Sequence, residues 1–363
     1  MAAFHIVLFA TLADTVRAHA ALISPIPRNA VDRFLPEYQG GKFGTSSCPH
    51  PGGAPPKQLP RDAWGPYNAS THRSCWGCNC INGTQPCNVA QTCVWFTEGT
   101  SIGCKYPAGD SPSSSPHCAN PINATNNDPY YRTMNLNATI FSKEDVTRYN
   151  PWRAPGRAPI YDSCGMAGGA PSWVPTQLSF YDTVHAKQGD LGSEVLPPNP
   201  TGVVWKAGET VETKWNIRAN HGGGYQYRLC PIASNLTEEC FTKHPLPFAG
   251  YVALEWANGS RTEIQGRYLS VGTFPLGSTW ARNPLPYNHP GQMPEFSPPC
   301  EESPDVWEAD AGLCSGRYLV NVSLIDKLVV PPDTPTGSYV LQLRYDCEET
   351  AQVWTFCADV EIE

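Results

Sequence analysis

The sequence lacks the features of a protein that binds nucleic acid or a membrane. It carries 25 lysine and arginine residues against 33 aspartate and glutamate residues, which gives a formal net charge of −8. Phosphate backbones and anionic lipid surfaces repel such a protein, so we expect neither as a partner. After the first eighteen residues, no segment approaches the ~20 apolar residues of a membrane-spanning helix. These absences favour a soluble protein with a neutral partner.

Helical periodicity is also scarce, whereas proline and glycine are abundant, at 37 and 31 residues. Alternating apolar and polar side chains instead predict strands over residues 211–218 and 225–229. Between them lies His221-Gly222-Gly223-Gly224, which we interpret as the glycine-rich tip of a hairpin. Further strands are predicted at residues 318–324, 339–345 and 354–362.

Short strands with many turn residues predict an all-β fold. The sequence contains no internal repeat and no appended module, so we expect one domain over residues 19–363. The expected architecture is an antiparallel β-sandwich of the immunoglobulin or fibronectin type III kind, with long loops. Residues 19–40 contain Pro25 and Pro27 and are predicted to be extended rather than helical. Residues from about 48 to 128 are interpreted as a disulfide-rich insertion near the N-terminus.

Cysteine is frequent, with 15 residues, all of them after position 18. Such use is typical of an oxidising compartment, and the odd number predicts one thiol left over or paired with another chain. Local disulfides are predicted for Cys230 with Cys240, Cys300 with Cys314, and Cys347 with Cys357. The segment Cys75-Trp76-Gly77-Cys78-Asn79-Cys80 has the look of a zinc knuckle, but disulfides are favoured in an exported chain.

The first eighteen residues are predicted to be a signal peptide. Residues 2–13 form a short apolar stretch that is broken by His5. Val16-Arg17-Ala18 then places small residues where signal peptidase cleaves. Cleavage after Ala20 is an alternative, because Ala18-His19-Ala20 has the same small-x-small pattern. Asn-x-Ser/Thr sequons also favour a secreted glycoprotein. They begin at Asn68, Asn82, Asn123, Asn137, Asn235, Asn258 and Asn321.

Cleavage after Ala18 would make His19 the first residue of the mature protein, with its own α-amino group. That amine and the imidazole Nδ1 of the same residue can chelate one metal ion. A second imidazole would complete a T-shaped set of three nitrogen donors, which suits copper among the common divalent metals. Such a set leaves positions open for an oxygen species, and copper supplies one-electron chemistry that side chains lack.

His221 is the best candidate for the second imidazole. It lies at the predicted hairpin tip, where three following glycines would let a flat substrate approach closely. The other histidines after residue 18 are interpreted as ordinary residues without a role in the site. They are His50, His72, His117, His185, His244 and His289.

Several segments stand out across residues 19–363. They are His19 itself, Pro27-Arg28-Asn29, Ala219-Asn220-His221-Gly222 followed by Tyr225–Pro231, and Gln352-x-Trp354-x-x-Cys357-Ala358-Asp359-Val360. Together they resemble the lytic polysaccharide monooxygenases, a family that includes proteins with chitin-binding type-4 domains. In that family an N-terminal and an internal histidine hold copper, which the resemblance carries to His19 and His221. Many members have Gln-x-Tyr-x-x-Cys near the C-terminus, so Trp354 departs from the pattern at the tyrosine.

The resemblance implies roles for two residues of the C-terminal segment. Gln352 would hydrogen-bond the reacting oxygen species, and Trp354 would pack on the axial side of the copper without a hydroxyl group. Phe356 is an alternative occupant of that position, because strand alternation puts it on the same face as Trp354. The competing interpretations are simple core packing for Trp354 and an ordinary exposed amide for Gln352.

The resemblance implies a secreted copper enzyme that cleaves an insoluble β-linked polysaccharide by oxidation. An external electron donor would reduce the copper, and hydrogen peroxide or dioxygen would serve to hydroxylate C1 or C4 of a glycosidic linkage. Chitin is favoured over cellulose, and we expect a monomer. Alternatives on the same scaffold are a non-catalytic carbohydrate-binding protein and a copper transport or storage protein. A hydrolase is disfavoured, since no pair of carboxylates stands in a recognisable motif.

Overall fold

The computed structural model describes the segments that form the sheets and those that pack on them. The described residues are 19–35, 79–80, 87–88, 90–98, 155–156, 160–169, 180–220, 222–256, 261–270, 273–284, 316–317, 322–347 and 352–363. Within these ranges, no helix is both long enough and apolar enough to cross a lipid bilayer.

Strands dominate the described residues, as the all-β interpretation predicts. In chain order they are β1 (His19–Ser24), β2 (Asn79–Cys80), β3 (Cys87–Asn88), β4 (Trp95–Glu98), β5 (Met166–Ala167), β6 (Val204–Trp205), β7 (Thr210–Asn220), β8 (Gly224–Pro231), β9 (Val252–Trp256), β10 (Arg261–Ile264), β11 (Tyr268–Leu269), β12 (Trp280–Arg282), β13 (Gly316–Arg317), β14 (Val322–Val329), β15 (Gly337–Asp346) and β16 (Gln352–Ile362). Short helices are α1 (Gly192–Val195) and α2 (Glu238–Thr242), and 3₁₀ turns cover Arg28–Phe34 and Thr92–Val94.

Two sheets face each other across one apolar core. The first sheet has the strand order β1-β7-β14-β9-β10, with β13 also paired to β7. The second has the order β11-β12-β8-β15-β16-β4-β5, with β6 also paired to β16. Among the described strands of these sheets, only β6 and β16 pair in parallel. The fold is therefore an antiparallel β-sandwich, and the predicted fold class is confirmed.

Large aromatic side chains fill the space between the sheets. Trp215 on β7 packs against Tyr225 on β8 with ring centroids 4.5 Å apart, and against Tyr345 on β15 at 5.3 Å. Trp354 on β16 stacks on Phe96 of β4 at 4.4 Å. All five side chains are fully buried, so they supply much of the apolar area whose removal from water stabilises the sandwich.

The segment between β7 and β8 is not a hairpin, contrary to the prediction. β7 pairs within the first sheet, with β1, β13 and β14, whereas β8 pairs within the second, with β12 and β15. The chain therefore crosses from one sheet to the other between Asn220 and Gly224. Alternation of apolar and polar side chains reports which face of a strand is buried, and it is the same for a hairpin and for such a crossing.

The start of the described chain is extended only in part. β1 covers His19–Ser24, as predicted, but Arg28–Phe34 forms a 3₁₀ turn. The reason is tertiary contact, because the buried Arg28 guanidinium donates two hydrogen bonds to the carboxylate of Asp359 on β16. The side-chain amide of Asn29 donates to the carbonyl oxygen of Cys164 at 2.7 Å. Local sequence carries no sign of these distant partners.

Two disulfides join described residues. Cys230 and Cys240 are bonded, as predicted. The predicted pair Cys347–Cys357 is wrong, because Cys357 is bonded to Cys164. Strand register explains the difference: Cys357 lies opposite Gln342, five residues from Cys347 along the partner strand, or about 17 Å. That separation is far beyond the reach of a disulfide.

Most of the predicted insertion, as well as Cys300 and Cys314, lies outside the described residues. Within the insertion, Trp95–Glu98 forms β4, and both Trp95 and Phe96 are fully buried. Cys93, just before this strand, is disulfide-bonded. β4 is therefore part of the sandwich core, since it pairs with β16 and β5 in the second sheet.

Candidate functional site

The residues predicted to carry the metal site lie at the start of β1 and, along the chain, just after β7. His19, the first residue of β1, lies opposite Ala219 near the end of β7. His221 and the side chain of His19 lie outside what the structure describes, but Asn220 and Gly222, the neighbours of His221, have described backbones. The register therefore puts the first residue of β1 beside the segment that leads into His221.

Two glycines shape the crossing from β7 to β8. Gly222 and Gly223 have positive φ angles of 63° and 83°. Residues with a Cβ atom are strained in this conformation, so the glycines permit the backbone to turn from one sheet into the other. Both are buried, which means that the turn lies against the body of the protein.

Hydrogen bonds from the second sheet hold this crossing in place. The hydroxyl of Tyr345 donates to the carbonyl oxygen of Gly222 at 2.6 Å. The backbone N–H of Asn283 donates to the carbonyl oxygen of Gly223 at 2.9 Å, and its side-chain amide lies 3.4 Å from the Gly222 oxygen. Neither donor stands out in the sequence, because Tyr345 fits an ordinary strand pattern and Asn283 belongs to no motif.

The last strand begins at the same end of the sandwich. Gln352, its first residue, lies opposite Glu98 on β4. Trp354 lies opposite Tyr345, and Tyr345 lies opposite Tyr225 on β8. Two strand spacings of ~4.8 Å therefore separate β16 from β8 at this level, or about 10 Å. The backbone register thus places Gln352 and Trp354 at the end of the sandwich where β1 begins.

The side chains of β16 are buried at this end. Trp354 stacks on Phe96 with ring planes 19° apart, and neither Trp354 nor Phe356 is exposed to solvent. Both point into the central apolar cluster, as strand alternation predicts. Gln352 is 3% exposed and so is not an ordinary surface amide.

A buried carboxylate lies in the core between the two sheets. Asp326 on β14 accepts hydrogen bonds from the hydroxyls of Tyr225 and Tyr227, at 2.8 and 2.9 Å, and from Trp215 Nε1 at 3.2 Å. Burial raises the pKa of Asp326 to about 6, although the three donors act in the opposite direction. Burial, together with the nearby carboxylate, also raises the pKa of both tyrosines well above the ordinary value. The cluster fixes Trp215, which packs against Tyr345.

The outer face of the second sheet carries a charged network. Arg228 and Arg344 both form ion pairs with Glu238 of α2, and Arg344 also bonds Asp346 at 2.8 Å. Burial by itself would raise the pKa of Glu238, but the two guanidinium groups lower it to about 2. Two cations thus face two carboxylates, and the arrangement anchors α2 to the sheet.

The described residues contain no cluster of metal-binding side chains. Among the described residues, no group of three or more His, Cys, Asp or Glu side chains is arranged to hold a metal ion. The predicted nitrogen donors belong to His19 and His221, whose side chains are outside that set. The described backbone pairs His19 with Ala219, two positions before His221 in the sequence.

Solved structures similar to this chain are lytic polysaccharide monooxygenases and a chitin-binding domain. A monooxygenase from Thermobia domestica in the Cu(I) state is 17% identical over 44% of this chain and 62% of its own, with a TM-score of 0.22. One from Streptomyces lividans is 11% identical over 46% of this chain and 60% of its own, with a TM-score of 0.23. A chitin-binding domain from Burkholderia pseudomallei is 11% identical over 96% of this chain and 100% of its own, with a TM-score of 0.32.

The chain spans less than two thirds of the length of the first two proteins. No protein-family model matches the sequence. At these identities and TM-scores the likeness is one of general fold, and it carries no argument about catalysis, metal or substrate.

Proposed function

We propose that this chain is a secreted copper-dependent monooxygenase that oxidises an insoluble β-linked polysaccharide. The observation that carries the proposal is the register of β1 with β7, which sets His19 opposite Ala219, two residues before His221. His19 would hold the copper through its α-amine and imidazole, and His221 through its imidazole. Bound copper would supply one-electron chemistry with an external electron donor and with hydrogen peroxide or dioxygen.

The first strand supports cleavage after Ala18 rather than after Ala20. β1 begins at His19, and Ala20 is buried opposite Ile217. Cleavage after Ala20 would remove two residues of an edge strand together with their pairing to β7. Cleavage after Ala18 keeps every described residue of β1 and leaves the α-amine of His19 at its end.

Two residues of β16 are proposed to assist at this end. Gln352 is buried at the start of β16, and its backbone carbonyl oxygen accepts a hydrogen bond from the backbone N–H of Cys347 at 3.0 Å. This bond fixes the Gln352 backbone, so that its side-chain amide would orient the oxidant by hydrogen bonding. Trp354, held against Phe96, would pack beneath the metal site and help to keep water from it.

The metal site is tested by changing only the N-terminus. We expect the protein that begins at His19 to bind one Cu(II) ion through nitrogen ligands, as read by isothermal titration and electron paramagnetic resonance. A matched variant that keeps Ala18 in front of His19 lacks the histidine α-amine and should bind Cu(II) more than about ten-fold more weakly. Its unfolding temperature should be unchanged, because the pairing of β1 with β7 is untouched.

His221→Ala should weaken Cu(II) binding in the same way, because it removes the second imidazole. Equal Cu(II) affinity in the mature, extended and His221→Ala proteins would contradict the proposed site.

Activity is tested on chitin and on cellulose, with copper, ascorbate and hydrogen peroxide, by mass spectrometry of the released sugars. Chitin is the proposed polymer and cellulose the alternative. Oxidised chito-oligosaccharides are the expected product. Binding to the polymer without oxidised products would instead favour a non-catalytic carbohydrate-binding protein. Copper binding with neither polymer binding nor oxidation would favour a copper transport or storage protein.

A further inference from the structure

Two successive carbonyl groups directly after His221 accept hydrogen bonds from residues far away in the chain. The Tyr345 hydroxyl and the Asn283 amide meet at the Gly222 oxygen, and the Asn283 backbone N–H binds the Gly223 oxygen. The Asn283 amide nitrogen also lies 3.5 Å from the Tyr345 hydroxyl oxygen, so the two donors form one unit. We call this unit the Tyr345–Asn283 clamp.

Each member of the clamp is itself held in place. Tyr345 is fully buried, lies opposite Trp354 in the sheet, and packs against Trp215. Asn283 is 2% exposed and directly follows Arg282, which lies opposite the first residue of β8. Neither donor can shift without disturbing a strand of the second sheet.

The backbone that the clamp holds would otherwise have unusual freedom. Glycine visits left-handed and right-handed conformations with similar ease, so the two glycines that permit the crossing also permit other paths for it. Gly222 is bonded directly to His221, and a change in its conformation would move the histidine. A hydrogen bond to a buried carbonyl oxygen restricts the backbone to the conformations that keep the bond, because leaving a buried oxygen unpaired costs free energy.

We propose that Tyr345 and Asn283 are positioning residues for His221. His19 belongs to the first sheet, whereas both members of the clamp extend from the second sheet. The clamp therefore fixes the backbone that directly follows His221 relative to the strand that begins at His19. This inference rests on the proposed copper site.

The test removes one hydroxyl group and compares the effect with that of removing a second tyrosine hydroxyl from the same strand. Tyr339 on β15 is also buried and donates to the carbonyl oxygen of Pro335 at 2.9 Å, at the far end of the strand. Tyr345→Phe and Tyr339→Phe thus each delete one tyrosine–carbonyl hydrogen bond, which is buried for Tyr345 and partly buried for Tyr339. Denaturant unfolding measures the loss of stability in each variant, so that an effect on the metal can be separated from an effect on stability.

Tyr345→Phe is expected to weaken Cu(II) binding by about ten-fold and to change the hyperfine splitting of the Cu(II) resonance. Tyr339→Phe should leave both unchanged. Without any metal, backbone amides over residues 222–226 should exchange hydrogen faster in Tyr345→Phe than in Tyr339→Phe. Asn283→Ala should act in the same direction as Tyr345→Phe but more weakly, because its side-chain bonds are longer.

The failure of this inference differs from the failure of the proposed function. If the wild-type protein beginning at His19 binds no Cu(II), the proposed function is wrong and the clamp has no metal ligand to position. If the wild type binds Cu(II) and Tyr345→Phe matches Tyr339→Phe in affinity and spectrum, the clamp is overturned and the proposed function stands.

Discussion

Asp326 occupies an inward position of β14 between Leu324 and Leu328, where an apolar side chain would be expected. Ionised carboxylates are seldom buried without a cation beside them. Around Asp326, three neutral hydrogen-bond donors take the place of the cation. Such donors offset only part of the lost hydration, which is why the pKa of Asp326 stays raised. One residue thereby links the packing of the core to the pH of the solution.

We expect Asp326 to make the protein less stable as the pH rises from 4.5 to 7.5. The pKa of Asp326 is raised to about 6 in the folded protein, against ~3.9 for an aspartate in an unfolded chain. Between these values the folded state keeps a proton that the unfolded state has lost. The contribution of Asp326 to the free energy of unfolding is therefore present at low pH and is lost as the pH rises through 6. The loss between pH 4.5 and 7.5 amounts to about 2 kcal/mol. Urea denaturation at several pH values measures it.

Asp326→Asn should remove this part of the pH dependence, since the amide does not titrate. Glu263→Gln, which alters an exposed carboxylate of the same sheet, should leave it intact. The paired Glu238, whose pKa is lowered to about 2, loses its stabilising effect only as the pH falls toward 2, outside the range tested. Identical pH slopes in wild type and Asp326→Asn would rule Asp326 out as the source.

Sequence could predict the burial of Trp215, because strand alternation marks it as inward. It could not predict the clamp or the partners of Asp326. The Tyr345 hydroxyl reaches a carbonyl 123 positions earlier, and Trp215 reaches Asp326 across 111 positions. Such contacts depend on how the strands are arranged in three dimensions, which local patterns do not encode.

At the scale of whole elements, local sequence patterns predict which residues form strands but not which strands pair with each other. The predicted strands at residues 211–218, 225–229, 339–345 and 354–362 all lie within observed strands. For the strand predicted at 318–324, the described part begins at Val322 and continues to Val329. The sheet to which each strand belongs was not predictable, and the supposed hairpin at His221 proved to be a crossing. Period-two alternation identifies a buried face but not the strand that lies beside it.

The two disulfides should differ in their contribution to stability because they close loops of different length. Cys164 and Cys357 are 193 positions apart, whereas Cys230 and Cys240 are 10 apart. A longer loop restricts the unfolded chain more, so replacing the first pair by alanine should cost about 5 kcal/mol and the second about 3 kcal/mol. Denaturant unfolding of the two double variants, with the other cysteines intact, measures the difference.

Equal losses in the two double variants would show that other disulfides already shorten the loop between Cys164 and Cys357. The pair also has a local effect, because Cys357 lies on β16 and Cys164 precedes β5. Its loss should therefore increase hydrogen exchange in the segment around Met166 more than at α2.

At the scale of the whole molecule, the buried ion pair of Arg28 and Asp359 connects the first described segment to the last strand. Arg28→Ala would leave the Asp359 carboxylate buried without its cation, and Asn199 N–H would be a remaining donor to it at 2.7 Å. We expect a loss of about 3 kcal/mol in the free energy of unfolding, measured in urea.

The matched control is the exposed pair of Lys243 and Glu239, in which both side chains are mostly in solvent. Lys243→Ala should change the free energy of unfolding by no more than about 0.5 kcal/mol. If Arg28→Ala costs no more than this, Arg28 and Asp359 do not hold the first segment to the last strand.

The distance along the chain between Arg28 and Asp359, 331 positions, also has a consequence for the order of events during biosynthesis. β16 lies inside the second sheet, between β15 and β4, so that sheet stays incomplete until the last strand has been made. Contacts of such long sequence separation form late and slowly. In a nascent chain that emerges from its N-terminus onward, the second sheet would therefore stay incomplete until β16 leaves the ribosome.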